Sequence, residues 1–126
     1  MATIFLPQSL KVTKSHKEET LNDIDLRLLI KNKNMELKQI IKEKSGTIVD
    51  VRSTLEFMGG SAEGSINIPL QEIQQRLSEI KGLKMPLVLC CASGGRSAMA
   101  TDFLSAQGIS CINGGSWMNV HHYQSK

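Results

Sequence analysis

A cysteine followed by two glycines and an arginine forms the most chemically distinctive stretch of this chain, residues 91–97, Cys-Ala-Ser-Gly-Gly-Arg-Ser. A turn of this kind at the start of a helix directs several backbone N–H groups toward one point, and the helix dipole adds partial positive charge there. Arg96 adds a full positive charge. Both effects favour the thiolate form of Cys91. The stretch therefore predicts a nucleophilic thiol in an anion-binding loop.

An apolar run precedes this loop and a helical pattern follows it. Residues 87–90 form a short apolar stretch that is typical of a buried strand, and residues 98–104 carry small and apolar side chains at helical spacing. Gly108 comes after the last helical turn, where glycine commonly ends a helix. We therefore expect a strand, a tight turn at Cys91, and a helix that ends near residue 106.

Alternating strand and helix patterns continue along the rest of the chain. They predict a helix over residues 35–43 capped by Asn34, strands over 47–51, 66–69 and 109–112, and a helix over 70–80. Residues 28–30, Leu-Leu-Ile, fit either a short strand or part of a helix. Alternation of this kind implies an α/β fold, with a central parallel sheet covered by helices on both faces.

The composition indicates one globular domain and excludes several classes of partner. The chain has 126 residues, 40% of them hydrophobic, and its net charge of +3 comes from scattered basic residues that form no nucleic-acid-binding patch. Three cysteines without regular spacing favour a reducing, cytoplasmic location and indicate neither a disulfide framework nor a metal site. No apolar run approaches the length of a membrane span. We expect no metal, organic cofactor, membrane or nucleic acid to be involved.

Further motifs occur on either side of the loop. Residues 48–52 read Ile-Val-Asp-Val-Arg, residues 56–69 combine Glu-Phe, a glycine-rich loop and Asn-Ile-Pro, and residues 113–117 combine Asn-Gly-Gly with Trp117. Together with the loop, these motifs resemble the rhodanese-like domain of the single-domain thiosulfate sulfurtransferase family. Ser61 departs from the family pattern, which usually has histidine at this place.

This resemblance implies an arrangement of the sheet and a division of the chain. The sheet would have five parallel strands, the first of them at residues 28–30. Residues 28–126 would form the rhodanese-like domain. Residues 1–27 would be an N-terminal extension, and homodimer formation through that extension is left open.

The resemblance also implies a sulfurtransferase, which moves sulfane sulfur from thiosulfate or a persulfide donor to a thiol or protein-thiol acceptor. Cys91 would carry the sulfur as a persulfide. The substrate-binding residues would be Ala92, Ser93, Gly94, Gly95 and Arg96, and the supporting residues would be Asp50, Arg52, Glu56, Ser97 and Trp117. Asp50, Arg52 and Glu56 are expected to brace the loop through charge-assisted hydrogen bonds.

Two other interpretations stay open at this point. Counted from Cys90, the loop also matches the C-x5-R-[ST] pattern of cysteine phosphatases, and an arsenate reductase would use the same kind of loop. Leu89 stands where phosphatases have histidine and Ser93 where they have glycine, and burial in the strand would raise the pKa of Cys90. We therefore favour the loop that begins at Cys91. The remaining alternative is a non-catalytic rhodanese-like binding module.

Overall fold

A computed structural model of the protein describes residues 16–125, with side chains described from Asp25 onward. Residue contacts divide the chain into two units, one ending at Met35 and the other beginning at Glu36. The second unit contains the whole sheet and the cysteine loop. The division of the chain at residues 27 and 28 stays a prediction.

Helix α1, His16–Glu43, includes residues 28–30, so the strand expected there is wrong. Asn34 lies inside this helix and does not cap its start. The physical reason is local: residues 16–43 contain neither glycine nor proline, and most of them favour helix. Leu28 and Leu29 are each 54% exposed, so no strand of the described residues covers them. No helix in the described part of the chain is long and apolar enough to cross a membrane.

Four parallel strands form the sheet of the described residues. They are β1 (Thr47–Asp50), β2 (Ile66–Asn67), β3 (Leu87–Cys91) and β4 (Cys111–Ser116). Their order across the sheet is β2-β1-β3-β4, and every adjacent pair is parallel. The predicted α/β fold with a parallel sheet is confirmed, with four strands in place of the expected five.

Each of these strands is followed by one or two short helices. They are α2 (Thr54–Met58), a 3-10 helix (Leu70–Glu72), α3 (Leu77–Lys81), α4 (Gly95–Ala106) and α5 (Trp117–Gln124). The helix predicted over residues 70–80 is divided into two pieces, although Ile73 and Ile80 are buried as expected. The Ser116 hydroxyl caps helix α5, and Val120 anchors this helix in the core.

Strand β3 is one of the two inner strands of the sheet and is buried along its whole length. Successive side chains of a strand point to opposite faces of the sheet. Accordingly, Leu87, Leu89 and Cys91 belong to one core cluster, which includes Ala100 and Leu104 of α4. Val88 and Cys90 belong to a second cluster, with Leu37 and Ile41 of α1 and Val120 of α5. Helices thus cover both faces, and the two adjacent cysteines lie on opposite sides of the sheet.

A bulge interrupts the pairing of β4 with β3. Leu89 lies opposite Asn113, but Cys90 lies opposite Gly115, so Gly114 is the extra residue. A Cβ added at Gly114 would lie 2.8 Å from the Val88 Cγ1 atom, which explains why glycine is required there. The bulge keeps Gly114 and Gly115 inside the strand, so β4 continues to Ser116, beyond the end predicted at residue 112, and passes beside the cysteine loop.

Candidate active site

Cys91 is the last residue of β3, and its thiol is enclosed by the turn that leads into α4. The backbone N–H of Gly94 donates to Cys91 Sγ at 2.9 Å, and Ser97 Oγ lies 3.5 Å from the same sulfur. Gly94 has a φ of 104°, a left-handed conformation that favours glycine. This conformation turns the chain back over the sulfur and directs the N–H at it.

The surroundings of Cys91 shift its acid strength in two directions. Burial by itself raises the pKa of the thiol. Hydrogen bonds from the Ser97 side chain and from the backbone N–H groups of Ser97, Gly94 and Ser93 outweigh burial and lower the pKa to about 7. A substantial fraction of Cys91 is therefore thiolate at neutral pH.

Cys90 has the opposite character, although it is the adjacent residue. Its side chain is fully buried in the second core cluster. Burial raises the pKa of this thiol to about 12, and the nearby Asp50 carboxylate adds to the effect. Cys90 is therefore a neutral core residue at physiological pH.

Ser97 and Asn113 form a hydrogen-bond network behind the sulfur. Ser97 Oγ donates to Asn113 Oδ1 at 2.7 Å and also lies 3.2 Å from the Gly94 carbonyl oxygen. Asn113 Nδ2 donates to the same carbonyl at 3.3 Å, and the Gly115 N–H donates to Asn113 Oδ1 at 2.9 Å. This network ties the cysteine loop to the bulge of β4.

Arg96 forms a bidentate ion pair with Glu56. Its Nη1 and Nη2 atoms donate to the two carboxylate oxygens at 2.8 and 3.0 Å. Hydrogen bonds from Arg96, and then from Ser53, lower the pKa of Glu56 to about 2. Glu56 also forms a capping box with Ser53 at the start of α2. Glu56 thus joins α2 to the first turn of α4.

Asp50 and Arg52 form a separate, buried ion pair at the end of β1. Arg52 Nη2 donates to Asp50 Oδ2 at 2.8 Å and to the Gly60 carbonyl oxygen at 2.6 Å. The guanidinium lies 5.0 Å from the centre of the Trp117 ring. Trp117 in turn packs on Gly60, where an added Cβ would lie 3.3 Å from the ring. These three side chains therefore brace the Gly60 segment, whereas only Glu56 of the expected bracing residues contacts the cysteine loop.

The family of the chain follows from comparison with known proteins. Residues 33–119 match the model of the rhodanese-like domain. The chain belongs to the rhodanese-like family. This rhodanese-like chain is 34% identical over 104 residues to mouse thiosulfate sulfurtransferase/rhodanese-like domain-containing protein 3, a match covering 71% of the chain and 66% of the mouse protein.

Two further similarities bear on this rhodanese-like domain. It is 33% identical over 90 residues to a putative mitochondrial thiosulfate sulfurtransferase of Schizosaccharomyces pombe, covering 60% of the chain and 63% of that protein. Both curated relatives are thus matched over less than two thirds of their own length. Among solved structures, an E. coli rhodanese with anions superposes with a TM-score of 0.54 at 28% identity, covering 58% of this chain and 88% of that one.

The structure of this rhodanese-like domain brings together some of the residues expected at the site. Ser93, Gly94 and Ser97 donate hydrogen bonds to Cys91, Ala92 belongs to the same turn, and Gly95 and Arg96 lie in the first turn of α4. Asn113 was missed as a site residue by sequence reasoning. The available signal was a polar side chain within an otherwise apolar strand, immediately before two glycines.

The third thiol of the rhodanese-like domain, Cys111, lies far from Cys91. It pairs with Leu87 at the opposite end of β3, whereas Cys91 pairs with Ser116. Four residues of strand separate the two positions, which is roughly 13 Å. Cys111 Sγ instead lies 3.3 Å from Ser105 Oγ. Since Cys90 faces the other side of the sheet, Cys91 has no thiol of its own chain beside it.

Proposed function

We propose that this protein is a sulfurtransferase, in which Cys91 accepts a sulfane sulfur as a persulfide and passes it to an external thiol. The observation that carries the proposal is the pair of contacts on Cys91 Sγ, the Gly94 N–H at 2.9 Å and the Ser97 hydroxyl at 3.5 Å. Both groups stabilise negative charge on sulfur, and sulfur transfer needs that charge twice. The first time is on the attacking Cys91 thiolate, and the second is on the same sulfur when it leaves as a thiolate in the transfer to the acceptor.

The reaction has two displacement steps. The Cys91 thiolate attacks the outer sulfur of thiosulfate, a new S–S bond forms, and sulfite leaves with the electron pair of the old S–S bond. An acceptor thiolate then attacks the outer sulfur of the Cys91 persulfide, and Cys91 leaves as a thiolate. A persulfide donor would follow the same course, with a thiolate leaving in place of sulfite. Neither step needs a metal or an organic cofactor.

The properties of the two adjacent cysteines favour this chemistry over phosphate-ester hydrolysis. The phosphatase pattern requires Cys90 to be the nucleophile, but Cys90 is fully buried and its pKa is raised to about 12. Cys91, by contrast, has a pKa lowered to about 7 and lies in the turn before α4. The loop that begins at Cys91 is therefore the better candidate for the reactive loop.

Mass spectrometry of the intact protein tests the proposal. After incubation with thiosulfate and removal of excess reagent, we expect a gain of about 32 Da, one sulfur atom, on the peptide containing Cys91. Addition of a small thiol should remove that mass and release a persulfide product. A folded protein that gains no sulfur from thiosulfate or a low-molecular-weight persulfide would overturn the proposal. Hydrolysis of an aryl phosphate in the same sample would favour the phosphatase instead.

The reactivity of Cys91 should depend on pH in a way that follows from its acid strength. Its pKa is lowered to about 7, and only the thiolate reacts with iodoacetamide. We therefore expect the rate of alkylation at Cys91 to rise roughly fiftyfold between pH 5 and pH 7 and to level off above about pH 8. Peptide mapping after timed labelling measures this rate. A rate that keeps rising beyond pH 9 would contradict the lowered pKa.

The Arg96–Glu56 pair should limit the affinity for an anionic donor. Glu56→Gln keeps an oxygen that can accept in the capping box but removes the negative charge facing Arg96. We expect the KM for thiosulfate to fall about threefold, because the guanidinium charge is then free to attract the sulfonate. Glu79→Gln is the matched control, since Glu79 forms a similar exposed pair with Arg76 on α3. If the KM for thiosulfate is unchanged or higher in Glu56→Gln, Arg96 needs its carboxylate partner in order to bind the donor.

A further inference from the structure

The hydroxyl of Ser97 has one proton but lies near three acceptors. They are Asn113 Oδ1 at 2.7 Å, the Gly94 carbonyl oxygen at 3.2 Å and Cys91 Sγ at 3.5 Å. When Cys91 is a thiol, its S–H can point at Ser97 Oγ while the Ser97 proton goes to Asn113. When Cys91 is a thiolate, Ser97 stabilises the sulfur only if its hydroxyl proton turns toward it. Asn113 and the thiolate therefore compete for one proton.

The amide of Asn113 is fixed in orientation by its other partners. The Gly115 N–H donates to Oδ1 at 2.9 Å, so the oxygen must face the bulge and Ser97. Nδ2 consequently faces the Gly94 carbonyl oxygen, at 3.3 Å. Gly94 is also the residue whose N–H lies 2.9 Å from the Cys91 sulfur. The Asn113 side chain thus contacts Ser97 Oγ and the Gly94 carbonyl oxygen, and both of these residues contact the sulfur.

We propose that Asn113 is a positioning residue that tunes the Cys91 thiolate, by competing for the Ser97 proton and by holding Gly94 with its N–H on the sulfur. The inference deepens the proposed sulfur transfer and rests on Cys91 being its nucleophile. The Asn113 Oδ1 atom favours the thiol form of Cys91 by accepting the Ser97 proton. The Asn113 Nδ2 atom supports Gly94, whose N–H favours the thiolate. The balance sets how much thiolate is present before a donor arrives.

The charged groups around the sulfur provide a constant background for this competition. Arg96 lies in the first turn of α4 and is paired with Glu56 of α2. Asp50, the last residue of the neighbouring strand β1, is paired with Arg52, two residues farther along the chain. Neither ion pair contains Ser97 or Asn113, so the change in the pKa of Cys91 caused by Ser97→Ala, measured within each background at Asn113, reports on the network itself.

A double-mutant cycle on Ser97 and Asn113 tests the proposal. Ser97→Ala is measured in three backgrounds, the wild type, Asn113→Asp and Asn113→Ala. The readout is the pKa of Cys91, taken from the pH dependence of its alkylation by iodoacetamide with peptide mapping. This readout needs no sulfur donor.

We expect Ser97→Ala to raise the pKa of Cys91 by about one in the wild type, which lowers the thiolate fraction several-fold below neutral pH. In Asn113→Asp the carboxylate binds the Ser97 proton more strongly, so loss of the hydroxyl should change the pKa very little. In Asn113→Ala the hydroxyl has lost its closest competitor, so its removal should have the largest effect. Equal effects in all three backgrounds, or the reverse order, would overturn the proposal.

Two controls separate this role from general support of the fold. Thr101→Val removes a hydroxyl one turn farther along α4, where Thr101 Oγ1 donates to the Ser97 carbonyl oxygen at 2.7 Å. It should leave the pKa of Cys91 unchanged. If Asn113→Ala does not fold, the near-isosteric Asn113→Asp arm against the wild type still decides the outcome. If the effect of Ser97→Ala differs among the three backgrounds as expected but no persulfide forms, the proposed function alone is rejected. If a persulfide forms but the effect is the same in all three backgrounds, this inference alone is rejected.

Discussion

Cys91→Ala is expected to abolish persulfide formation, whereas Cys90→Ala should retain most of it. The two substitutions remove the same thiol group from adjacent residues of one strand, but from opposite faces of the sheet. Only Cys91 has a pKa lowered to about 7 and a donor N–H on its sulfur. The measurement is the gain of about 32 Da after exposure to thiosulfate, compared between the two variants at a temperature at which both are folded.

Cys111→Ala serves as the third member of this series. Cys111 lies at the far end of the sheet, opposite Leu87, so its loss should change neither the extent nor the rate of sulfur loading. The contrary pattern is specific: if Cys90→Ala is the variant that loses sulfur loading, the reactive loop begins one residue earlier than proposed. That outcome would direct attention to phosphate esters and arsenate.

Asp50→Asn is expected to destabilise the protein more than any other single change in its ion pairs. The side chain of Asp50 is fully buried and that of Arg52 is 6% exposed, so neutralising the carboxylate leaves the guanidinium charge in the interior without a counter-charge. Removing one partner of such a pair typically costs about 3 kcal/mol or more. Urea unfolding should show the midpoint falling by about 2 M with an unchanged slope.

Two comparison variants identify the origin of that loss. The double variant Asp50→Asn/Arg52→Met removes both charges, so it should recover part of the lost stability, because no unpaired charge remains buried. Glu79→Gln breaks an exposed pair on α3 and should have little effect on the midpoint. If Asp50→Asn unfolds at the same urea concentration as the wild type, Arg52 is adequately stabilised by the Gly60 carbonyl and the Trp117 ring.

Local sequence signals predicted the centre of this site well. The apolar run before Cys91 and the glycines after it specify a strand, a turn and a helix start within ten residues, and the structure has those elements. The two-residue period of a strand also places the side chains of Cys90 and Cys91 on opposite faces of the sheet. Residues 28–30 show the limit of this approach: a short apolar run fits a strand or a helix, and the continuous helix-favouring surroundings decided for the helix.

Contacts between distant residues were beyond the reach of such signals. Glu56 and Arg96 are 40 residues apart, and their pairing depends on how α2 and α4 come together. The role of Asn113 depends on the bulge at Gly114, which arises from close packing against Val88. Charge and residue type indicated that these side chains could form hydrogen bonds, but only the assembled sheet selects their partners.

The separation of the three thiols has a consequence for how long the proposed enzyme would keep a bound sulfur atom. No second cysteine of the chain lies beside Cys91, so a loaded chain has no internal route to a disulfide. If Cys91 forms a persulfide as proposed, each chain would hold a single transferable sulfur atom until an acceptor thiol removes it. The lifetime of the persulfide would then depend on the concentration of that acceptor, and the loaded protein would act as a store of sulfur as well as a catalyst.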